Sequence, residues 1–393
     1  MKNVCVILLF VFSLPAFPQG TWMQKSNYPG QVIMTGVGFT IAGKGYIGTG
    51  QDGASNNYSE FYQYDPVSDN WTVKANFAGP PRRFAAGFSI GANGYIGTGF
   101  NGSVYYNDFW EYNSLADSWT QKANVGGPPR ATALAFSYNG RGYIGTGASV
   151  ISGLMQDLWQ YNPVTNVWVQ KANFPGTARM DMERPFMIGS KLYCGTGLSS
   201  SYCNDFWEYD VPNDTWTQKA NFAGSPRFGG TGFAICNYGY IGFGQTNTGT
   251  MNPDMWKYDP AANSWMQVAS IPVGRIDAPV FVIGNKAYIG PGGSGNDFWE
   301  YTPDSCDTKP GFREFSEEIF ISVYPNPVKE IVTVLSQIKK GEIIIYNHAL
   351  EKIYSAKVTG TKTEIDLGKA PNGIYFIKVI SDEGTATRKI IKE

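Results

Sequence analysis

Arginines stand at positions 82, 130, 179, 227 and 275, and an aspartate follows each one 22 to 27 residues later: Asp108, Asp157, Asp205, Asp254 and Asp297. A guanidinium grips a carboxylate through two parallel hydrogen bonds, so Arg82, Arg130, Arg179, Arg227 and Arg275 suit either an anionic or sugar-acid ligand or a set of internal ion pairs. A ligand needs a few special residues, whereas packing needs the same residue once per unit. Five-fold recurrence therefore favours ion pairs that fix the loops of each unit. A sixth acid, Glu60, has no arginine: counting back from Phe39 as from Phe88 to Arg82 reaches Ile33.

Other chemistry is sparse. The one histidine is His348, close to the C-terminus, which leaves no histidine-based triad and no histidine-ligated metal in the body of the chain. No Gly-x-Ser-x-Gly elbow occurs between a strand and a helix, and the cysteine spacings do not suit zinc. The expectation is no catalytic residue, no metal and no cofactor, hence a binding module and not an enzyme. Its candidate ligand contacts are Tyr58, Glu60, Tyr105, Tyr106 and Tyr202, set among Asn, Ser and Gly in segments of varying length, a mixture suited to stacking on sugar rings and bonding hydroxyls.

The elements that must carry these residues follow from a repeat. Tyr46, Tyr95, Tyr143, Tyr193, Tyr240 and Tyr288 each open a Gly-rich segment, at steps of 49, 48, 50, 47 and 48 residues. That period marks a repeat architecture. In the second unit, extended runs over 86–90, 94–99, 108–112 and 119–122 are separated by turn residues such as Asn93-Gly94. Four short strands rich in aromatics and glycine make one blade of a β-propeller, and six units predict six blades.

Trp71, Trp119, Trp168, Trp216 and Trp265 each lie nine positions after another aromatic, but the sixth unit has Thr308 where its second Trp belongs. Thr21-Trp22-Met23-Gln24-Lys25 matches Ser118-Trp119-Thr120-Gln121-Lys122 and supplies the missing strand. Closing the last blade with the N-terminal strand removes an exposed edge. The loops bearing the arginines and those bearing the acids and tyrosines then emerge at one mouth of the propeller. The first blade departs most, with Ile33 for arginine and Tyr62 for the usual Trp.

The stretch 45–77, with Tyr46-Ile47-Gly48, Tyr64-Asp65-Pro66 and Trp71, resembles a kelch repeat, although Gly48-Thr49-Gly50 puts a threonine inside the family's diglycine. The resemblance spans about 21–303 and implies an all-β, six-bladed kelch-type propeller. Such propellers serve as binding platforms and as enzymes. Galactose oxidase shares the architecture, but its copper needs histidines that this propeller lacks. The resemblance to kelch-type sialic acid mutarotases and epimerases keeps a second reading open, a metal-independent sugar-modifying enzyme.

The ends of the chain speak of export. Residues 1–19 read as a secretory signal peptide, with an apolar run from Val4 to Leu14 too short for a transmembrane anchor. The propeller is assigned to 20–303 and a polar linker to 304–318. From 319 to 393 short Val/Ile-rich strands follow: Val323-Tyr324-Pro325-Asn326-Pro327, 343–346, 363–367, 373–379 and 387–392. This series is similar to the C-terminal type A sorting domain of the type IX (Por) secretion system, a small Ig-like β-sandwich. It implies that residues 319–393 engage that machinery and that the protein is secreted or held at the cell surface. The expected partner there is an extracellular glycan or protein, met by a monomer. A net charge of −1 with 16% charged residues argues against nucleic acid. Of the cysteines, Cys194 and Cys203 flank one hairpin loop and are expected to bridge; Cys236 and Cys306 are too distant in sequence to judge.

Overall fold

A computed structural model describes residues 20–306 and 321–393, except 32, 183, 294, 305, 337, 339, 348–350, 359, 382 and 383. The signal segment 1–19, most of the 304–318 linker and His348 lie outside the described residues. Six four-stranded antiparallel sheets form the blades of a propeller. The tail forms one three-stranded and one four-stranded sheet around a core that includes Val332, Ile343, Ile377 and Ile390. There the structure adds strands Ile331–Ser336 and Lys352–Val358 to those the motifs marked.

Each blade runs from a small-residue inner strand to a polar outer one, and the sequence dictates the gradient. In blade two, Ala86–Ile90 lines the channel, Asn93–Gly97 and Phe109–Asn113 are sandwiched, and Ser118–Lys122 is outermost. The Gly-Tyr-Ile-Gly strands are buried on both faces, as their lack of polar alternation requires. Outer strands turn Thr and Gln to water and half-bury Trp and Lys, the lysine pairing with a glutamate of the adjacent strand, and such polar, charged edges resist pairing.

Blades dock by fitting rings into glycine-sized gaps. The Phe281 ring lies where a Cβ on Gly45 would be, and Phe39, Phe88 and Phe186 do the same at Gly94, Gly142 and Gly239. Any side chain there would force the blades apart, so these glycines are fixed by close approach. Further out, Phe109 meets Tyr161 and Trp168 of the next blade edge-on at 4.9 and 5.0 Å. Such aromatic pairs add about 0.5–1.5 kcal/mol each beyond buried area. The outer Trp then donates its indole N–H to a carbonyl of the preceding blade: Trp119 to Ala75, Trp168 to Ala123, Trp216 to Ala172, Trp265 to Ala220.

Closure follows the same rule. Thr21–Lys25 pairs with Phe298–Thr302, with Trp22 opposite Tyr301, and becomes the outer strand of blade six. Trp22 donates to Ala269 O at 2.8 Å, and Trp71 of blade one donates to Ser26 O at 2.9 Å, so the hydrogen-bonded series runs across the seam.

The expected Cys194–Cys203 bridge is corrected. Cys194 and Cys203 are thiols, and the disulfide joins Cys236 to Cys306, with Cα atoms 5.1 Å apart. Cys194 lies in a strand buried on both faces, which keeps its side chain in the core, whereas closure brings the end of blade six beside the Cys236 turn of blade five. The bridge therefore staples the last residues of the propeller to its neighbour.

Candidate functional site in the propeller channel

Every arginine of the repeat is engaged within its own blade. Arg130 Nη1 and Nη2 donate to Asp157 Oδ1 and Oδ2 at 2.6 Å each, Nη1 also to Thr146 O at 3.0 Å, and Nε to Pro128 O at 3.2 Å. The same set recurs at Arg82–Asp108, Arg179–Asp205 and Arg227–Asp254, and Arg275 donates to Asp297 through one contact at 2.8 Å. Each aspartate also accepts the indole N–H of the Trp two residues on, for example Trp159 to Asp157 at 2.7 Å. The arginines are 0–2% exposed, so a passing anion cannot reach them. Burial pushes the Asp157, Asp205 and Asp254 carboxyls up, but the bonds and charge of their arginines outweigh it and hold them below the usual range.

Arg82, Arg130, Arg179 and Arg227 each cap the carbonyl of the left-handed residue after the second strand, Thr98, Thr146, Thr196 and Phe243, whereas Arg275 caps Gly290 O. The threonine of Gly-Thr-Gly holds this conformation although a β-branched residue rarely adopts it, and the glycine after it is left-handed as well. A Cβ on Gly50 would sit 2.7 Å from Met34 O, so glycine is needed where the chain turns back under the rim.

The tyrosines singled out from sequence lie half-buried in the rim loops, each with a partner. Tyr58 OH donates to Asp52 at 2.8 Å, Tyr105 lies 4.4 Å from the Phe100 ring, the Arg82 guanidinium sits 4.2 Å above Tyr106, and Tyr202 packs on Phe228 at 5.5 Å. Asn57 Nδ2 donates to Asn101 O, which brings the loops of Tyr58, Tyr105 and Tyr106 together; Tyr202 belongs to blade four. Glu60 accepts from Gln31 N at 3.2 Å and Tyr62 OH at 3.5 Å, with buried Ile33 in place of an arginine.

Two residues past each arginine position the chain makes a second ring, around the channel itself. Thr35, Phe84, Thr132, Asp181, Gly229 and Asp277 all have φ between 48° and 65°. Their amides link blade to blade: Phe84 N to Thr35 O, Thr132 N to Phe84 O, Gly229 N to Asp181 O, Asp277 N to Gly229 O and Thr35 N to Asp277 O, at 2.7–3.3 Å. The backbone conformation recurs in all six blades; the side chains do not.

Blade four adds an arginine. Arg179 and Phe186 are seven residues apart, whereas the equivalent pairs in the other blades are six apart. The extra residue and Pro185 delay the inner strand, which runs only from Phe186 to Ile188. Arg184 is thereby released from the sheet and crosses the channel to donate to Gly36 O of blade one. A cavity of about 290 Å³ lies here, walled by Gly38, Gly87, Ala135 and Ala234 and topped by Thr35, Thr132, Asp181, Arg184 and Asp277. The Thr35 and Thr132 hydroxyl oxygens are buried without a hydrogen-bond partner among the described residues.

Enclosure sets the charge state. Burial raises Asp277 to about 6 against the lowering effect of Arg184. Burial raises Asp181 well above the usual carboxylate range, and the neighbouring Asp277 charge raises it further. Burial also lowers Arg184, opposed by the two carboxylates. Both carboxyls of the pair are therefore held above their ordinary range beside a guanidinium, and the charge of Asp277 disfavours ionisation of Asp181. Two neighbouring carboxyls with raised proton affinity, set in a cavity beside a guanidinium, are groups suited to proton transfer. Sequence reading missed this group because it compared positions shared by all blades, while the signal lay in the one-residue insertion and in the acids at two ring positions.

The comparisons with known proteins agree with this architecture. Residues 322–393 match the family model described as a secretion system C-terminal sorting domain. The chain is accordingly a type IX-secreted protein directed to the cell surface or beyond, and no helix among the described residues is long and apolar enough to cross a membrane. No curated protein matches the chain. Among solved structures, the one titled "Structure of YjhT" is similar over 70% of this chain and 96% of its own, at 18% identity and a TM-score of 0.60. The expectation that the chain is not an enzyme is corrected here. It rested on missing histidines and on repeat positions, and the propeller fold shared with YjhT leaves an enzyme as an open reading of this architecture.

Proposed function

We propose that this exported propeller is a metal-independent enzyme that interconverts the ring forms of a reducing sugar or sugar acid inside the channel. The observation that carries this reading is the asymmetry of the channel ring, in which blades four and six alone place acids and blade four alone adds an arginine. Asp181 donates its proton to the ring oxygen of the sugar as the bond from the anomeric carbon to that oxygen breaks, while Asp277 takes the proton of the anomeric hydroxyl and the carbonyl forms. Reclosure on the other face of the carbonyl returns both protons. No electron is gained or lost, and no metal is needed. Arg184 balances the Asp277 charge and offers a cation to a substrate carboxylate.

Exchange between anomeric protons, followed by NMR saturation transfer with the full chain, tests the reading on neutral hexoses and on sugar acids. The expected result is exchange well above the buffer rate, lost in Asp181→Asn and in Asp277→Asn. Exchange at the buffer rate for every sugar would end the proposal.

The rim supports a second, compatible role. The half-buried, tilted Tyr105–Phe100 pair, beside the Tyr58 and Tyr106 loops, suits retention of a longer glycan at the channel mouth. Glycan-array binding that persists in Asp181→Asn but falls in Tyr105→Ala is the expected outcome.

A further inference from the structure

Phe84 is the anomaly of the channel ring. Its φ is 55°, a left-handed conformation that disfavours bulky side chains, and the other five blades fill the position with Thr, Thr, Asp, Gly and Asp. Phenylalanines on the inner strands stack on the tyrosine of the next strand, as Phe88 does on Tyr95 at 5.5 Å and Phe136 on Tyr143 at 4.4 Å. Phe84 instead lines the cavity.

Its surroundings complete a binding slot. Ring order places blade five opposite blade two, so the residue across the channel from Phe84 is Gly229, which has no side chain. A Cβ there would lie 2.6 Å from Ile276 Cγ1 and 2.8 Å from Asp277 Oδ1, so the glycine leaves the Ile276 and Asp277 side chains their place. On the flanks stand Asp181, Asp277 and the two unpartnered threonine hydroxyls. An aromatic ring on one side, a residue without a side chain opposite and polar groups around the perimeter match a six-membered sugar ring, whose C–H face is apolar and whose edge carries hydroxyls.

We propose that Phe84 is the stacking platform of the channel site and selects cyclic pyranoses over open-chain polyols. The inference rests on the sugar chemistry proposed above and is tested apart from it. Methyl pyranosides cannot open their rings, so their binding reports recognition without reaction.

Calorimetric titration of the full chain with methyl glucopyranoside, methyl galactopyranoside and the methyl glycoside of a nonulosonic acid, with glucitol as the open-chain control, reads the platform. The wild type and Phe84→Tyr should bind at least one methyl pyranoside, and Phe84→Thr should bind it at least tenfold more weakly. Glucitol should not bind. Because threonine is the residue of two other blades at this position, Phe84→Thr should melt at or above the wild-type temperature, so lost binding is not lost folding. Unchanged affinity in Phe84→Thr, glucitol binding as tight as the best pyranoside, or no pyranoside bound by the wild type would each overturn the proposal. Phe84-dependent binding without anomer exchange would leave the platform standing and remove the catalytic reading alone.

Discussion

Two rings of charge lie two residues apart in the chain and behave in opposite ways. In the outer ring, each arginine finds an aspartate of its own blade, and the pair is completed by an indole and two carbonyls. In the inner ring, Asp181 and Asp277 share one arginine, which spends a bond on Gly36 O. Burial acts on both sets. The outer carboxyls that shift are held down because their partners outweigh desolvation, while the inner ones rise because theirs do not. Repetition accompanies compensation, and departure from repetition leaves titratable charge enclosed in a cavity.

The largest expected effect breaks the outer ring. Arg130→Ala strands the partly buried Asp157 carboxylate and uncaps the Thr146 carbonyl. The expected loss in urea unfolding is about 3–5 kcal/mol, the range for breaking a buried pair. Adding Asp157→Asn should recover part of it, with a coupling of about 0.5–3 kcal/mol in the double-mutant cycle. A loss below about 1 kcal/mol, without coupling, would mean that the outer ring is not what holds the rim.

The inner ring should respond with the opposite sign. Asp277→Asn removes a carboxylate whose ionisation opposes folding, and the rise from 3.8 to about 6 corresponds to roughly 2–3 kcal/mol of relief at pH 8. The same change should lower anomer exchange about 10²–10⁴-fold, the usual contribution of a general base. A variant that is both less stable and fully active would reverse the assignment of the two rings.

A pH series of melting temperatures separates the rings without mutation. The raised carboxyls of Asp181 and Asp277 contribute stability that is complete below about pH 4 and is lost as pH climbs through about 6 and beyond. The lowered carboxyls of Asp157, Asp205 and Asp254 contribute stability present above about pH 4 and lost as pH falls through their folded values. The wild type should lose stability on both sides of about pH 4–5, and Asp181→Asn with Asp277→Asn should flatten only the alkaline side. Both limbs flattening together would show that the rings are not independent.

Most of the fold was legible because each blade solves the same packing problem with the same residues. Trp22 announced the closing strand because the outer strand of any blade needs that indole, and the tail's Val/Ile strands announced the sorting domain. The Cys236–Cys306 bridge was not legible, since it depends on which turns meet at the seam after the ring has closed. Nor was the channel site. Aligning the repeats on their tyrosines and tryptophans averages away the extra residue between Arg179 and Phe186, and whether Asp181 faces water or a cavity is decided by six blades converging on one axis.

The smallest effect concerns the one acid of the outer set without an arginine. Glu60 accepts a backbone N–H from Gln31 and a weak bond from Tyr62, and an uncharged amide oxygen can take both. Glu60→Gln should therefore change stability by less than about 0.5 kcal/mol, as for an ordinary surface substitution. Asp108→Asn, which leaves the fully buried Arg82 guanidinium without its counter-charge, should cost several-fold more. Equal losses in the two variants would mean that blade one compensates its acid by some route other than an arginine, and that the contrast between the rings depends less on guanidinium pairing than on the carboxylates themselves.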